Sequence, residues 1–327
     1  MFDFFSIGDT TLDTFLKIES DYADLLTSKN GRQTKMCFNY GDKLPVKEIH
    51  DCVAGNSANA AVSASRLGLN SAIYTILGDD DVGHRALHKF EKEKVATDFV
   101  KLDKINRSNA SFVLNYGLDR TILIYHEKRD YIFPKNVNSK AFYLTSMNHG
   151  WTTVIDDLVS NIKHNNSILF YQPGTFQLRS GARNSGKILS LTDTIFMNKE
   201  EAMEYLNKRK FISMKDLLYK LNILGPQTAV ITDAQNGAYC YNENKYYYLG
   251  IDKSVKVKEK TGAGDAFSVG FATAKMLGKP IQECLSWGAV NSESVITSIG
   301  PQAGLVRRGF IGEMVRERER KIKAKEI

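Results

Sequence analysis

Residues 141–234 carry four short apolar runs in order: AFYLTSM (141–147), SILFYQPG (167–174), DTIFMN (193–198) and TAVITDA (228–234). Each is short enough to be a buried strand and ends in polar or turn-forming residues. Between them lie WTTVIDDLVSNI (151–162), GARNSGKILSL (181–191), KEEAMEYLNK (199–208) and MKDLLYKLNI (214–223), whose apolar residues recur at helical spacing. Short apolar strands separated by helices are the pattern of βαβ units, so an α/β fold with a mostly parallel central sheet is expected.

Working outward toward the N-terminus, FDFFSIGDTTLD (2–13) reads as another buried strand, closed by a glycine-acid turn. Residues 14–53 are different, with alternating polar and apolar positions punctuated by Gly41-Asp42 and Pro45. That is the signature of strands with one exposed face. AGNSANAAVSASRLGL (54–69) returns to helical spacing, NSAIYTILGDDDVG (70–83) gives a strand and loop, and HRALHKFEKEKV (84–95) another helix. RSNASFVLNYGLDRTILIYH (107–126) alternates again, with a hairpin turn expected at Gly117-Leu118-Asp119. One α/β domain over 1–327 is therefore expected, bearing a small β lid built from two insertions at about 14–53 and 107–126.

Composition limits the function classes. Of 327 residues, 43% are hydrophobic and 25% charged, as in soluble globular chains. No apolar run approaches the ~18 residues of a membrane span, and the acidic opening MFDFFSIGDTTLD is not a signal peptide. Cys37, Cys52, Cys240 and Cys284 form no CxxC pair, so buried thiols in a reducing cytoplasm are expected. The net charge of +7 suggests nucleic acid at first, yet residues 307–327 hold eight basic and four acidic side chains, which leaves +3 on the body. A solvated C-terminal helix accounts for that tail, and neither a nucleic-acid nor a membrane partner is expected.

Toward the C-terminus stands KEKTGAGDAFSVGFATAKMLGK (258–279), a glycine-rich turn entering an apolar helix. Neither Gly186-Lys187 nor Gly278-Lys279 is followed by Ser or Thr, so the chain has no Walker A loop. Phe267 stands where a dinucleotide fingerprint needs its third glycine. An anion hole made by the amides of Gly262, Ala263 and Gly264 at a helix N-terminus remains. Asp265 then has two readings of equal weight: a carboxylate placed on the helix dipole, or a base that takes a proton from an attacking hydroxyl.

TGAGD (261–265) before an apolar helix resembles the C-terminal signature of the ribokinase family of carbohydrate and nucleoside kinases, the phosphofructokinase-B group. Residues 54–83 resemble its glycine-rich N-terminal signature, IGDTTLD (7–13) its strand-end acid motif, NKEE (198–201) its N-x-x-E motif, and TDAQNG (232–237) its T-x-G-x-x-G turn. The matches occur in the family's order and span nearly the whole chain. The resemblance implies a three-layer α/β/α fold and an ATP-dependent kinase that phosphorylates a hydroxymethyl group on a small sugar. By the same resemblance Asp265 is the catalytic base and Gly262, Ala263 and Gly264 the anion hole. Asp13, Gly55, Asn56 and Asn59 line the sugar pocket; apart from the resemblance, Arg120 on the second lid hairpin reads equally as reaching over an anionic substrate or phosphate and as a solvated arginine. Asn198, Glu201, Thr232, Gly237 and Asn291 serve the nucleotide, with Glu201 holding Mg2+ through water. A monovalent cation such as K+ near Gly300 and a homodimer joined through the lid are further implications.

The chain departs from that pattern at Ala54, at Glu259-Lys260 before the turn, at Ala234 in the nucleotide turn, and at Gln172-Pro173-Gly174 in place of Asn-Pro-Gly. Rival readings are a nucleoside kinase, with Phe38, Tyr40 or Phe112 stacking on a base, and a catalytically silent sugar-binding regulator. His84 and His88 share a helix face, but Arg85 stands where a metalloprotease has Glu. Asp79-Asp80-Asp81 reads as a helix cap and Tyr246-Tyr247-Tyr248 as a half-buried strand.

Overall fold

The computed structural model describes residues 1–19, 22–28, 34–116 and 119–327. The chain opens on β1 (Phe2–Ile7) and passes through β2 (Thr11–Ile18), β3 (Asp24–Thr27), β4 (Thr34–Cys37) and β5 (Val46–Ala54) to helix α1 (Asn56–Arg66). β6 (Ser71–Gly78), α2 (Asp81–Lys92), β7 (Val100–Asp103), β8 (Asn109–Tyr116) and β9 (Asp119–Tyr125) follow. The alternating half then runs β10 (Ser139–Leu144), α3 (Ile155–Asn165), β11 (Ile168–Tyr171), α4 (Thr175–Asn184), α5 (Gly186–Leu189), β12 (Thr194–Asn198), α6 (Lys199–Tyr205), α7 (Met214–Asn222) and β13 (Thr228–Thr232). The last elements are β14 (Ala238–Asn242), β15 (Lys245–Leu249), α8 (Ala263–Met276), α9 (Ile281–Val295), α10 (Arg308–Lys321) and β16 (Lys325–Glu326).

The central sheet has the order β16-β15-β14-β13-β12-β11-β10-β1-β6-β7. Its run from β13 to β7 is parallel, and β14, β15 and β16 are added antiparallel at one edge. Because successive strand residues point to opposite faces, Phe5, Phe142, Leu144, Leu169 and Tyr171 pack with α3, α5, α6 and α7. Phe4, Ala141, Tyr143 and Phe170 pack with α1, α8, α9 and α10 on the other face. The fold is thus the expected three-layer α/β/α arrangement. Strand order turns back on itself at β1, which lies between β10 and β6. The carboxyl ends of parallel strands beside such a reversal form the crevice where α/β folds bind ligands. Residues following β1, β11, β12 and β13 are the ones carried there.

A second sheet, ordered β5-β2-β8-β9, forms the lid. β2 pairs antiparallel with β5 and parallel with β8, and β8 pairs antiparallel with β9. Register places Asp13 opposite both Cys52 and Ser111, with Arg120 on the same face, while Leu16, Ile49, Phe112 and Leu123 share the other. β3 and β4 make a separate two-stranded ribbon. The hairpin turn expected at Gly117-Leu118 lies outside the described residues, as do 20, 21 and 29–33 of the first lid segment.

Local chemistry explains several helix starts. Asp80 caps α2 by accepting from Gly83 N at 2.8 Å, as read from the acidic triplet. The stretch expected as one helix over 181–191 is instead the end of α4, kinked at Gly181 (φ 70°), and the short α5, the two divided at Ser185 (φ −98°, ψ 2°). All four cysteines are free, but only Cys240 and Cys284 are buried; Cys37 and Cys52 sit half-buried on lid strands. The basic tail is not wholly solvated either. Arg318 is 5% exposed and donates to Glu293 at 2.8 Å and to Gly250 O at 2.7 Å, tying α10 to α9. Among the described residues no helix is long and apolar enough to cross a membrane.

Candidate active site

Asp265 stands in the first turn of α8, whose N-cap is Gly262 at φ 80°. A side chain at Gly262 would meet Pro301 at 2.4 Å, so the left-handed turn and the close approach both require glycine. Asp265 does not cap the helix it begins. Its Oδ2 accepts from Asn59 Nδ2 at 2.8 Å and its Oδ1 from Gln172 Nε2 at 2.9 Å. The carboxyl is 8% exposed, and burial pushes it up to about 6 against the lowering effect of the two amides; the charge of Asp13 adds a smaller upward push.

At the turn expected to form an anion hole, the three amides differ in what they meet. The Ala263 amide turns back onto Lys260 O at 3.3 Å. Among the described residues no acceptor meets the amides of Gly262 and Gly264, and open space lies in front of the Gly264 Cα. Two amides rather than three are therefore free to face an anion. Just before the turn, Glu259 Oε1 accepts from Thr261 N at 2.8 Å and Thr261 Oγ1 at 2.6 Å, so an acid does hold the turn in spite of the changed sequence.

Asp13, at the start of β2, is 8% exposed and accepts from Thr11 Oγ1 at 2.7 Å; burial pushes its carboxyl up. Gly55 caps α1 at φ 94°, where a Cβ would press on Asp9 O at 2.7 Å. That brings the half-buried Asn56 and the buried Asn59 to the mouth of the crevice. Asn59 is fully engaged, donating to Asp265 and accepting from Gln302 Nε2 at 3.0 Å. Arg120 reaches from β9 to within 3.8 Å of Glu259, and its Nε and Glu259 Oε2 are buried without hydrogen-bond partners.

Asn198 and Glu201 form a reciprocal capping box on α6, each accepting from the other's backbone N–H at 2.8 Å. One oxygen of Glu201 is left over, and burial pushes its carboxyl up to about 6. Asn198, Glu201, Thr232 and Gly264 line one cavity of about 60 Å3 with Gln172 and Ser268. Gly237 takes φ 88° against Leu249 O, and Ala234 adopts φ 43°, carrying strain that the glycine common in such turns would not. Asn291 is not brought to this cavity. It is fully buried and donates to Ser63 Oγ and Ala266 O while accepting from Val306 N, which joins α1, α8 and α9.

Gln172 was overlooked as a site residue, although its place at the end of β11 and its departure from Asn-Pro-Gly both marked it. Tyr143 and Gln302, behind the two amides, left no local signal. The His84–His88 pair lies on a separate cavity of about 910 Å3 between β5, α2 and residues 299–303. Three of its basic groups have acidic partners, His84 with Asp79, Arg85 with Asp51 and Lys89 with Glu93. Among the described residues no three His, Cys, Asp or Glu side chains come together to hold a metal.

The model of the pfkB family of carbohydrate kinases matches residues 26–307. The chain belongs to that family. A nucleoside kinase of Methanocaldococcus jannaschii is 24% identical over 269 residues, covering 77% of this chain and 81% of the relative. A Dictyostelium discoideum ribokinase is 23% identical over 295 residues, 81% of this chain and 92% of the relative. Among solved structures, Arabidopsis thaliana ribokinase complexed with ribose and ATP superposes with a TM-score of 0.78 at 16% identity, over 96% of this chain and 98% of that one. The M. jannaschii nucleoside kinase structure gives 0.76 at 18% identity over 97% and 99%. The protein is thus a carbohydrate kinase of ribokinase fold.

Proposed function

We propose that the protein transfers the γ-phosphoryl group of ATP to a hydroxymethyl group of a small sugar, with Asp265 as general base. The observation that carries this reading is a buried carboxylate held by two neutral amides, with no cation among the described residues to pair it, beside the free amides of Gly262 and Gly264. Such a group binds a proton weakly enough to be ionised at neutral pH and strongly enough to take one from an attacking hydroxyl. Asp13, Gly55, Asn56 and Arg120 would orient the acceptor. Asn59 serves through Asp265, since both ends of its amide are taken.

Asn198, Glu201, Thr232 and Gly237 would hold the nucleotide, an assignment supported by the shared cavity of the first three. A direct Mg2+ cage does not fit the described residues, but the spare Glu201 oxygen suits a metal bound through water. When bound, that metal neutralises phosphate charge. The lid face bearing Asp13 and Arg120 would exclude water, the competing acceptor. A K+ site near Gly300 is part of the same reading, and turnover in K+ against Na+ salts tests it.

A nucleoside acceptor is the second reading, favoured by the M. jannaschii relative. Phe112, a proposed stacking residue, points away from Asp13 and lends it no support. The deciding experiment follows ADP release from Mg-ATP across sugars and nucleosides, with Asp265→Asn in parallel. One acceptor-dependent signal, reduced at least 100-fold in the variant, is expected. Unchanged turnover in Asp265→Asn would overturn the role of that residue.

A further inference from the structure

The two amides that hold Asp265 are themselves held. Gln172 turns its Nε2 to Asp265 Oδ1 while its Oε1 accepts from the Tyr143 hydroxyl. Asn59 turns its Nδ2 to Oδ2 while its Oδ1 accepts from Gln302 Nε2. Tyr143 is fully buried on β10, Asn59 is 4% exposed on α1 and Gln302 5% exposed after α9, so each orientation is set inside the protein.

A primary amide has one end that donates and one that accepts, and a half-turn exchanges them. Facing a carboxylate, the donating end stabilises the anion, whereas the accepting end repels it and welcomes a protonated acid. A free amide would choose according to the state of Asp265. Turning either would give up its buried hydrogen bond to Tyr143 or Gln302 and set an N–H against that partner, which would itself have to turn.

We infer that Tyr143 and Gln302 are positioning residues that lock Gln172 and Asn59 with their N–H ends toward Asp265, and so set its affinity for the acceptor's proton. The inference rests on Asp265 as the base in the reading above, but its physical content concerns only the carboxyl. The titratable groups facing Asp265 are Asp13 from β2, Glu201 from α6 and Tyr143 from β10. The first two are acids that oppose its ionisation. Among the described residues no cation acts against them in holding the charge, so the amides are its main support. Gln172 takes the place of the more usual Asn of such motifs, and its longer side chain spans from β11 to both Tyr143 and Asp265.

The test titrates Asp265 directly, by carbon-13 NMR of aspartate-labelled protein with the resonance assigned against Asp265→Asn. Tyr143→Phe removes one hydroxyl and Gln302→Met one amide. Tyr74→Phe, which removes from β6 of the same sheet a hydroxyl that donates to Ile132 O, is the structural control. The midpoint of Asp265 is expected to rise by about one unit, a tenfold change in proton affinity, in Tyr143→Phe and Gln302→Met and to stay put in Tyr74→Phe. An unchanged midpoint in either of the first two, folded by circular dichroism, overturns the inference, as does an equal rise in the control. Should Tyr143→Phe not fold, Gln302→Met decides alone. The acid limb of kcat/KM separates the two claims. A midpoint that moves with the limb supports both; one that moves without it supports the lock and removes Asp265 as base.

Discussion

A carboxylate kept from water without a cation opposes folding, and Asp265 is placed at such a point. Its folded value of about 6 lies above the ordinary 3.8, so between these pH values the native state holds more protons than the unfolded chain. Stability from this group is therefore full below about pH 4 and declines as pH rises through 6. The difference corresponds to about 3 kcal/mol, and replacement by Asn forfeits one amide hydrogen bond worth about 1 kcal/mol. Asp265→Asn should thus be more stable than wild type by about 2 kcal/mol at pH 7, with the gain gone at pH 4; urea unfolding at both pH values checks it. Ala234 is a second strained residue, at φ 43°. Relief of the left-handed penalty exceeds the extra chain entropy of glycine, so Ala234→Gly should stabilise by about 0.5 kcal/mol. Equal or lower urea midpoints would show that the turn is not under strain. At this scale the sequence exposed Asp265, Asp13 and Ala234, each recognisable within a five- to seven-residue motif. It marked Gln172 only as a departure from Asn-Pro-Gly and hid Tyr143 and Gln302, because their roles arise only where β10 and the segment after α9 meet the site.

Helices and strands were more legible than their junctions. The βαβ half reads directly from apolar runs, since parallel strands buried on both faces need no alternation. The N-x-x-E motif has a structural role that local sequence also announces, the capping box that starts α6. What local reading misses is how one helix end is fixed to another. Arg66, the last residue of α1, makes a two-pronged pair with Glu93 at the C-cap of α2, at 2.8 and 2.7 Å, and also donates to Gln302 O at 2.6 Å. Lys89 joins the same carboxylate at 2.8 Å. These cations, foremost the Arg66 hydrogen bonds, hold Glu93 down to about 2. Its contribution is present above the ordinary 4.5 and lost as pH falls toward 2. Glu93→Gln leaves the Arg66 guanidinium poorly paired at 11% side-chain exposure. A loss of about 3 kcal/mol at neutral pH is expected, shrinking on acidification across that window. A constant loss from pH 7 to pH 2 would assign the effect to packing instead of charge.

At the scale of the whole molecule, the lid's inner face mixes polar side chains with apolar ones such as Ile122 and Ile124, while its outer face exposes a row of large apolar side chains. The inner one carries Asp13, Ser111 and Arg120 toward the crevice; the outer carries Leu16, Ile49, Phe112, Leu123 and Tyr125. Ile49 is 69% exposed and Leu123 53%, with Phe112 and Tyr125 both at 44%. Such a row of large apolar side chains on a four-stranded sheet is unusual for a surface that meets only water. The alternation in 107–126 made a half-exposed sheet legible, but not that the exposed half would be apolar. Strand register decides which residues share a face, and register is a property of two strands together. A second copy offers the same apolar row and would cover this one by an isologous contact. The lid-joined dimer expected from the family resemblance therefore has a physical motive in this chain. Sedimentation equilibrium should return twice the chain mass for wild type. Ile49→Asp with Leu123→Asp, which places carboxylates in the row and leaves the inner face alone, should return a single chain with an unchanged circular dichroism spectrum. A monomeric wild type would leave the outer face without this partner. A dimeric double variant would place the contact elsewhere. If the dimer forms through the lid, closing one crevice moves an element that the partner also grips, and turnover should then depend on enzyme concentration near the dissociation constant.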